Sequence, residues 1–567
     1  PAVGTLISPP YDHWPRYEEL TGLIEGWAAA MPEMLAVQSI GRSHEGREIW
    51  ICAVTNTATG GADEKPAVWI DANIHASEVT GGAAALHLIH HLLNGYGDDQ
   101  RVTRALDTRA FYVVPRLNPD GVELVLADRP LHVRSGVRPW PLADPQPGLH
   151  ESDVDGDGRI LTMRLPDETG QWKVDPAHPR LMVPREADEQ GEGPYYRLLY
   201  EGHLVDYDGD IIKVAPALAG LDFNRNFPYD WAPQGDQDGA GPYPTSEPEV
   251  RAAVQAISDR PNITHVVTYH TFGGVHLRPY GAKPDDDFPP ADLETYKRVG
   301  AAATKITGYP CASVFHDFQY EPKTFMRGAF DDWLYEHLGI FGWTTEFWSP
   351  HRQAGVDIGM RFIEWWKDHP IEDDIKMLEW SDRELGGTAF VDWYQFDHPQ
   401  LGPVEIGGWD YMGGIGNAPL HLLEKEIAPH TDWAVQLALI SPRLEVRSLR
   451  SEPIASGAHR VRLVLQNSGW MPSNVSQKAL DRKAVRPVEV DLVLPDGARL
   501  ASGDAHVELG QLAGRARSIS LLGWSSGNEP SSERARCEWV VEAPAGTRLS
   551  VVARHPRAGV CRAEIEL

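Results

Sequence analysis

The fold class predicted for this chain is α/β: a mixed sheet flanked by helices, followed by an antiparallel β-sandwich. Three observations carry that expectation. Over roughly the first three quarters of the chain, short apolar runs alternate with stretches of helical spacing, the pattern of strands and helices layered about one sheet. Past about residue 431 the helical periodicity fades, and short alternating strands bounded by turn residues replace it. The length of 567 residues also exceeds one ordinary domain. The expected division is 1–430 for the α/β domain and 431–567 for the sandwich.

The elements follow in order. Apolar spacing predicts a helix over 17–30, ended by Met31-Pro32. Strands are expected at 35–40 and 49–54, with the turn Ser43-His44-Glu45-Gly46-Arg47 between them. Ala67-Val68-Trp69-Ile70 reads as a buried strand, and 79–93, rich in Ala, Leu and Ile, as a helix. On that helix His87, His90 and His91 read as packing or surface histidines. A strand at 111–115 leads into Asn118-Pro119-Asp120-Gly121, and helical segments follow at 291–309 and 361–367. In the C-terminal region strands are expected at 461–466, 488–494, 516–522, 537–542 and 549–554, with turns such as Pro495-Asp496-Gly497 between them.

Composition narrows the function. A net charge of −29 repels nucleic acid and favours solubility and the attraction of cationic peptides. No apolar run is long enough to span a bilayer, so no membrane partner is expected. Four cysteines do not make a disulfide scaffold: Cys52 and Cys311 read as buried small hydrophobes, while Cys537 and Cys561 could pair in an oxidising compartment. The start of the chain shows no basic-then-apolar leader, which leaves secreted, periplasmic and cytoplasmic placement open.

Chemistry concentrates at four residues. The strand 67–70 ends in a polar bend that delivers His75 and Glu78, three residues apart and so on one face of a turn. Nitrogen and oxygen donors so spaced suit zinc. A catalytic zinc needs a third protein ligand and an open position for water. Thr264-His265-Val266-Val267-Thr268-Tyr269-His270 is a strand whose C-terminal end carries His270, where open α/β sheets place ligand sites. Another apolar run, Gly339-Ile340-Phe341-Gly342-Trp343-Thr344-Thr345-Glu346, closes on Glu346, a candidate general base whose carboxylate is costly there without a role.

Together these residues carry a resemblance. His75-x-x-Glu78, then Asp222-Phe223-Asn224-Arg225-Asn226, then His270 with Arg278-Pro279-Tyr280-Gly281, then Glu346, resemble in type and order the zinc carboxypeptidases of the pancreatic carboxypeptidase A type. The resemblance runs from about Tyr11 to Glu424. It implies a carboxypeptidase-like α/β/α catalytic domain, one zinc held by His75, Glu78 and His270, and a peptide substrate with a free C-terminus. It implies that Glu346 takes a proton from water and passes it to the leaving amine. It assigns Asp222 to orient His75, and Asn224 and Arg225 to hold the terminal carboxylate. An oxyanion-stabilising Arg is implied after Asn-Pro-Asp-Gly; Arg134 fits the spacing, with Arg138 the alternate. Asp331 falls on the floor of the side-chain pocket, where an Asp resembles members preferring C-terminal Lys or Arg; its other reading is a helix cap. The family's substrate-capping Tyr falls on Thr324, with Tyr320 close by, and Ser77 stands where pancreatic members carry Arg.

The resemblance lapses over residues 129–217, a Pro-, Asp- and Gly-rich insertion too long for a simple connection and expected to be a lid or small subdomain. Within it Asp153, Asp155 and Asp157, followed by Gly158, resemble the first half of a calcium loop, although the twelfth position is Arg164 and not Glu. An Asp-stabilised turn without metal is the other reading. Two rival functions stand beside the carboxypeptidase: a related zinc amidohydrolase acting on N-acyl amino acids, and a catalytically silent binding protein on the same fold.

Overall fold

A computed structural model describes residues 6–191, 193–321, 323–516 and 529–567. Its centre is an eight-stranded mixed sheet. The strand order is Leu35–Arg42, Glu48–Val54, Ala110–Val114, Ala67–Ala72, Ile263–Thr271, Phe341–Phe347, Val275–Arg278, Cys311–Ser313. The four strands from Ala110–Val114 to Phe341–Phe347 pair in parallel. Every residue of Ala67–Ala72, Ala110–Val114 and Ile263–Thr271 is buried, as parallel strands covered on both faces require. Alternate side chains serve the two layers. Val68 and Ile70 join the core under helices Val79–Gly95, Pro290–Thr307 and Leu420–Ile440, whereas Trp69 points to the core under Pro248–Ser258.

The expected helices and strands of the first domain occur within a few residues of their predicted bounds. One boundary does not. Helix Leu420–Ile440 runs straight across the division expected at 430/431, and the first sandwich strand starts at Leu444. This helix packs against Val79–Gly95 and is buried on several sides, so its apolar period is blurred, and Pro429 inside it mimics a stop.

The insertion builds a second, six-stranded sheet, and not from itself alone. Strand Thr162–Pro166 pairs with Gly402–Trp409, which pairs with Phe390–His398; Tyr196–Tyr200, Trp172–Val174 and Met182–Pro184 complete the order. A segment inserted between the catalytic strands and one that follows them thus fold into one unit.

Among the described residues, two four-stranded antiparallel sheets form the C-terminal sandwich. Strand Ala458–Asn467 alternates buried and half-buried along its length, and Val461, Leu463 and Leu465 meet Leu549, Val551 and Trp539 inside. Cys537 and Cys561, which the sequence left able to pair, lie on strands of different sheets and, like Cys52 and Cys311, are free thiols. The strand expected at 516–522 falls, but for Ala516, outside the described residues. No described helix is long and apolar enough to cross a membrane.

The sandwich grips the segment just before the catalytic strand Phe341–Phe347. Glu336 accepts hydrogen bonds from Tyr280, Lys283, Lys478 and Arg482, and Arg557 donates to the carbonyls of Leu338 and Gly339. Gly339, at φ +60°, lies so close that a Cβ there would meet the Ala479 backbone at 2.4 Å.

Candidate active site

The parallel strands deliver the candidate ligands to one edge. After Ala67–Ala72 the chain turns at Asn73, φ +60°, and His75 and Glu78 emerge before helix Val79–Gly95. Glu78 occupies that helix's N-cap position but makes no cap bond, so its carboxylate turns away to the histidines. Its Oε1 lies 2.8 Å from His75 Nδ1, and its Oε2 2.8 Å from His270 Nδ1. The two Nδ1 atoms are 3.0 Å apart. All three side chains are buried.

Two imidazole nitrogens and a carboxylate thus turn their lone pairs on one small volume. That donor set suits a divalent cation such as zinc, and His75, Glu78 and His270 form a metal-capable group in the fold. The far ring nitrogens are held by oxygen partners, as ligand histidines require. His75 Nε2 lies 3.0 Å from Asp222 Oδ1. His270 Nε2 lies 3.3 Å from Thr268 Oγ1, whose hydroxyl donates to Asp71 Oδ1 at 2.7 Å. Asp71 is fully buried on the central strand, and burial pushes its carboxyl up to about 6, with the Thr268 and Trp69 hydrogen bonds opposing. Burial also works against charge on Glu78 and Asp222, yet both carboxyls stand below their ordinary range: His75 and His270 outweigh it at Glu78, His75 and Arg134 at Asp222.

Glu346 is the register partner of His270 on the next strand. Burial first, then the Glu78 charge, pushes its carboxyl up to about 8, while His270 and Arg134 pull it down. Its Oε2 is buried with no hydrogen-bond partner. Arg134 donates to Glu78 Oε1 and to Asp222 Oδ2, both at 3.2 Å. Arg138 is engaged elsewhere, with Glu247 at 2.6 Å.

Asp222 caps the 3-10 turn Phe223–Arg225 by accepting from Asn224 N. Asn224 Oδ1 accepts from Phe330 N, and Arg225 Nη1 donates to Asn224 O. Arg225 is buried, and among the described residues no carboxylate bridges it. Asp331 lies inside the short helix Phe330–Trp333, whose cap position belongs to Ala329, so it is not the cap residue. Burial raises its carboxyl, with the Arg225 and His270 charges acting the other way.

A cavity of about 270 Å³ opens beside these groups. Glu78, Arg134 and Glu346 line it together with Phe272, Tyr320, Trp366 and Tyr411, whereas Asn224, Arg225, Asp331 and Thr324 do not. Tyr411, Phe272 and the Trp365-Trp366 pair were not singled out from the sequence. Phe272 stands two residues past His270, and the Trp pair lies in helix Phe362–Lys367, so adjacency and aromatic density were the available signals. Tyr411 had none: Asn417 brings it in by bonding Ser77 O and Thr80 N of the ligand turn, 337 or more residues away in sequence.

In the insertion, Asp153 and Asp155 converge with Glu201. Asp157 is not of that group, its Oδ1 accepting from Arg159 N. Asp153 likewise accepts from the N–H groups of Gly156 and Gly158, and both Glu201 oxygens accept from Val154 N and Leu161 N.

A family model described as zinc carboxypeptidase matches residues 20–144 and 186–362, over half of the chain. The chain belongs to that zinc carboxypeptidase family. A second model, a domain of unknown function, matches residues 443–566. Carboxypeptidase A2 of Mus musculus is 24% identical over 338 residues, covering 57% of this chain and 58% of that protein. A zinc carboxypeptidase of Saccharothrix mutabilis subsp. capreolus is 27% identical over 128 residues, 22% of this chain and 29% of that one. The chain thus spans less than two thirds of these curated relatives. Among solved structures, thrombin activatable fibrinolysis inhibitor aligns at 16% identity and a TM-score of 0.43, over 76% of this chain and 74% of that one.

Proposed function

We propose that this chain is a zinc-dependent metallocarboxypeptidase that removes the C-terminal residue of peptides, with basic residues preferred. One observation carries the reading: two imidazole Nδ1 atoms and a carboxylate converge within 3.0 Å of one another beside the unpartnered Glu346. Zinc, when bound by His75, Glu78 and His270, supplies a Lewis acid for the peptide carbonyl and for water. Glu346, whose Oε2 is buried without a hydrogen-bond partner, takes the proton of the attacking water and hands it to the leaving amine. Arg134 donates to the carbonyl oxygen as negative charge grows there. Arg225, buried and without a carboxylate bridge among the described residues, presents a guanidinium fork for the substrate's terminal carboxylate, with Asn224 beside it. Asp331 pairs with the cation of a C-terminal Lys or Arg.

The test is to profile release of C-terminal amino acids from a mixed peptide library, with and without a zinc chelator. Chelator-sensitive release from the free C-terminus supports the proposal. Turnover of N-acyl amino acids but not of N-blocked dipeptides moves the chain to the amidohydrolase reading, and tight zinc with no turnover at all moves it to a silent binding protein. Structural calcium on the Asp153, Asp155 and Asp157 loop is a separate proposal; a melting temperature unmoved by calcium after EGTA treatment leaves the loop as an Asp-stabilised turn.

A further inference from the structure

The helical stretch before the catalytic strand ends in an unusual way. Phe330–Trp333 continues into Leu334–Leu338 as a wider, π-type turn, and Gly339, at φ +60°, reverses the chain into strand Phe341–Phe347. A helix end leaves its last carbonyls without partners inside the helix. Here the sandwich takes them. Arg482 Nε donates to Glu336 O at 2.8 Å, and Arg557 donates to Leu338 O and, at 3.0 Å, to Gly339 O. Ser476 Oγ donates to the same Gly339 carbonyl at 2.6 Å. All three donors lie within residues 443–566, the region matched by the model of unknown function.

Arg557 is built for this contact. Only 2% of it is exposed, and among the described residues no carboxylate bridges it. Burial draws its guanidinium down to about 10, which leaves it charged at neutral pH. A buried cation met by carbonyls alone is costly unless those carbonyls need it. Asn474 O, 3.1 Å from Nη1, completes its carbonyl set. Its backbone is fixed as well: His555 Nδ1 accepts from Arg557 N and Ala558 N, and His555 Nε2 lies 3.0 Å from Gln511 Oε1.

What this hold controls is register. Beyond Gly339 the chain enters the sheet with Phe341 opposite His265, and that pairing, continued residue by residue, sets Glu346 opposite His270. In a strand a slip of one residue turns every side chain to the other face. The wide turn holds one residue more than an α-helical turn, so its collapse would feed a residue into the strand. The far end of the helical stretch is anchored separately, with Phe330 N donating to Asn224 Oδ1 at 2.9 Å. Relaxation therefore falls on the strand side.

We propose that the C-terminal sandwich is an intramolecular clamp on the reacting centre. Arg557 and Ser476 are its positioning residues: by holding the carbonyls of Leu338 and Gly339 they keep Glu346 in register with His270. The inference rests on the carboxypeptidase reading for its kinetic consequence. A base displaced by about 1 Å costs roughly tenfold to a hundredfold in kcat. KM, set by Asn224 and Arg225 at the anchored end, stays within about twofold.

The experiment uses the zinc-loaded full chain, an N-blocked dipeptide with a free C-terminus, and two variants, Arg557→Met and Ser476→Ala. Arg557→Met is expected to lower kcat by about tenfold or more, with KM within about twofold and one zinc per chain retained. Ser476→Ala, which removes one of the two donors to Gly339 O, should lower it by a smaller factor. Hydrogen exchange gives a second readout that needs no turnover. Amides of residues 340–347 are expected to exchange several-fold faster in both variants, while those of Ala67–Ala72 keep the parent's rate. Parent-like kcat together with parent-like exchange over 340–347, in a variant that retains zinc, overturns the clamp. So does exchange that quickens across the whole sheet at once, which marks a general loss of stability. Should Arg557→Met fail to fold, Ser476→Ala decides by the same two readouts. Faster exchange confined to 340–347 in a chain that turns over no peptide overturns the carboxypeptidase reading and supports the clamp.

Discussion

His270 and Glu346 are directly opposed in the register of two parallel strands, Ile263–Thr271 and Phe341–Phe347. The sheet itself thus fixes the spacing between a candidate ligand and the candidate base, without help from a loop. Replacing Glu346 by Gln keeps shape and ligands while removing the proton acceptor. The expected outcome is a fall in kcat of about 10²- to 10⁴-fold with one zinc per chain retained. Activity equal to the parent, with metal content unchanged, would move the base to another residue.

Arg225 is the reason to assign an exopeptidase. Its guanidinium is buried, and among the described residues its one hydrogen-bonded partner is the Asn224 carbonyl. In Arg225→Gln, kcat/KM for peptides with a free C-terminus is expected to fall by about tenfold to a hundredfold, the worth of a charge-assisted bidentate contact. Peptides ending in an amide, which offer Arg225 no carboxylate, should change far less. Equal losses on both substrates would make Arg225 a packing residue.

Asp331 tests the side-chain preference. Its carboxyl is buried, and burial raises it; under the proposed function it meets the cation of a C-terminal Lys or Arg. Asp331→Ala is expected to lose the preference for Lys-ended over Phe-ended peptides, by about tenfold or more in the ratio of kcat/KM. An unchanged ratio discards the assignment.

Much of the centre was legible because the chemistry is local. His75 and Glu78 share one turn, and His270 and Glu346 each end an apolar run, so strand ends and residue type pointed to the four residues that the fold brings to one edge of the sheet. The support of His270 was hidden. Asp71 and Thr268 look like ordinary strand residues until the register pairs them across the sheet. The sandwich boundary was misread because a helix buried on several sides lacks the polar stripe that marks helices in sequence. The insertion was visible as an interruption, but its partner strands lie 200 residues and more downstream, and no periodicity announces a pairing such as Arg164 with Glu405. Tyr411 belongs to the same class of residue, placed by tertiary pairing alone.

The sandwich's hold on the catalytic strand gives a last prediction, one of stability. Glu336 is buried beside Lys283, Lys478 and Arg482 and accepts from the Tyr280 hydroxyl. Burial opposes its charge, yet Arg482, Tyr280 and Lys478 bring its carboxyl down to about 2 from the usual 4.5. A carboxyl lowered on folding stabilises the protein fully above its unfolded value and loses that contribution as pH falls through the folded one. The shift corresponds to about 3 kcal/mol at neutral pH, roughly a third of it gone by about pH 3.5. Glu336→Gln should therefore lower the unfolding free energy by roughly that amount at pH 7, and the gap to the parent should narrow as pH falls below about 4.5. Denaturant unfolding of both chains across pH 7 to 3.5 measures it. A gap that stays constant over that range would mean that Glu336 acts through shape and not through charge.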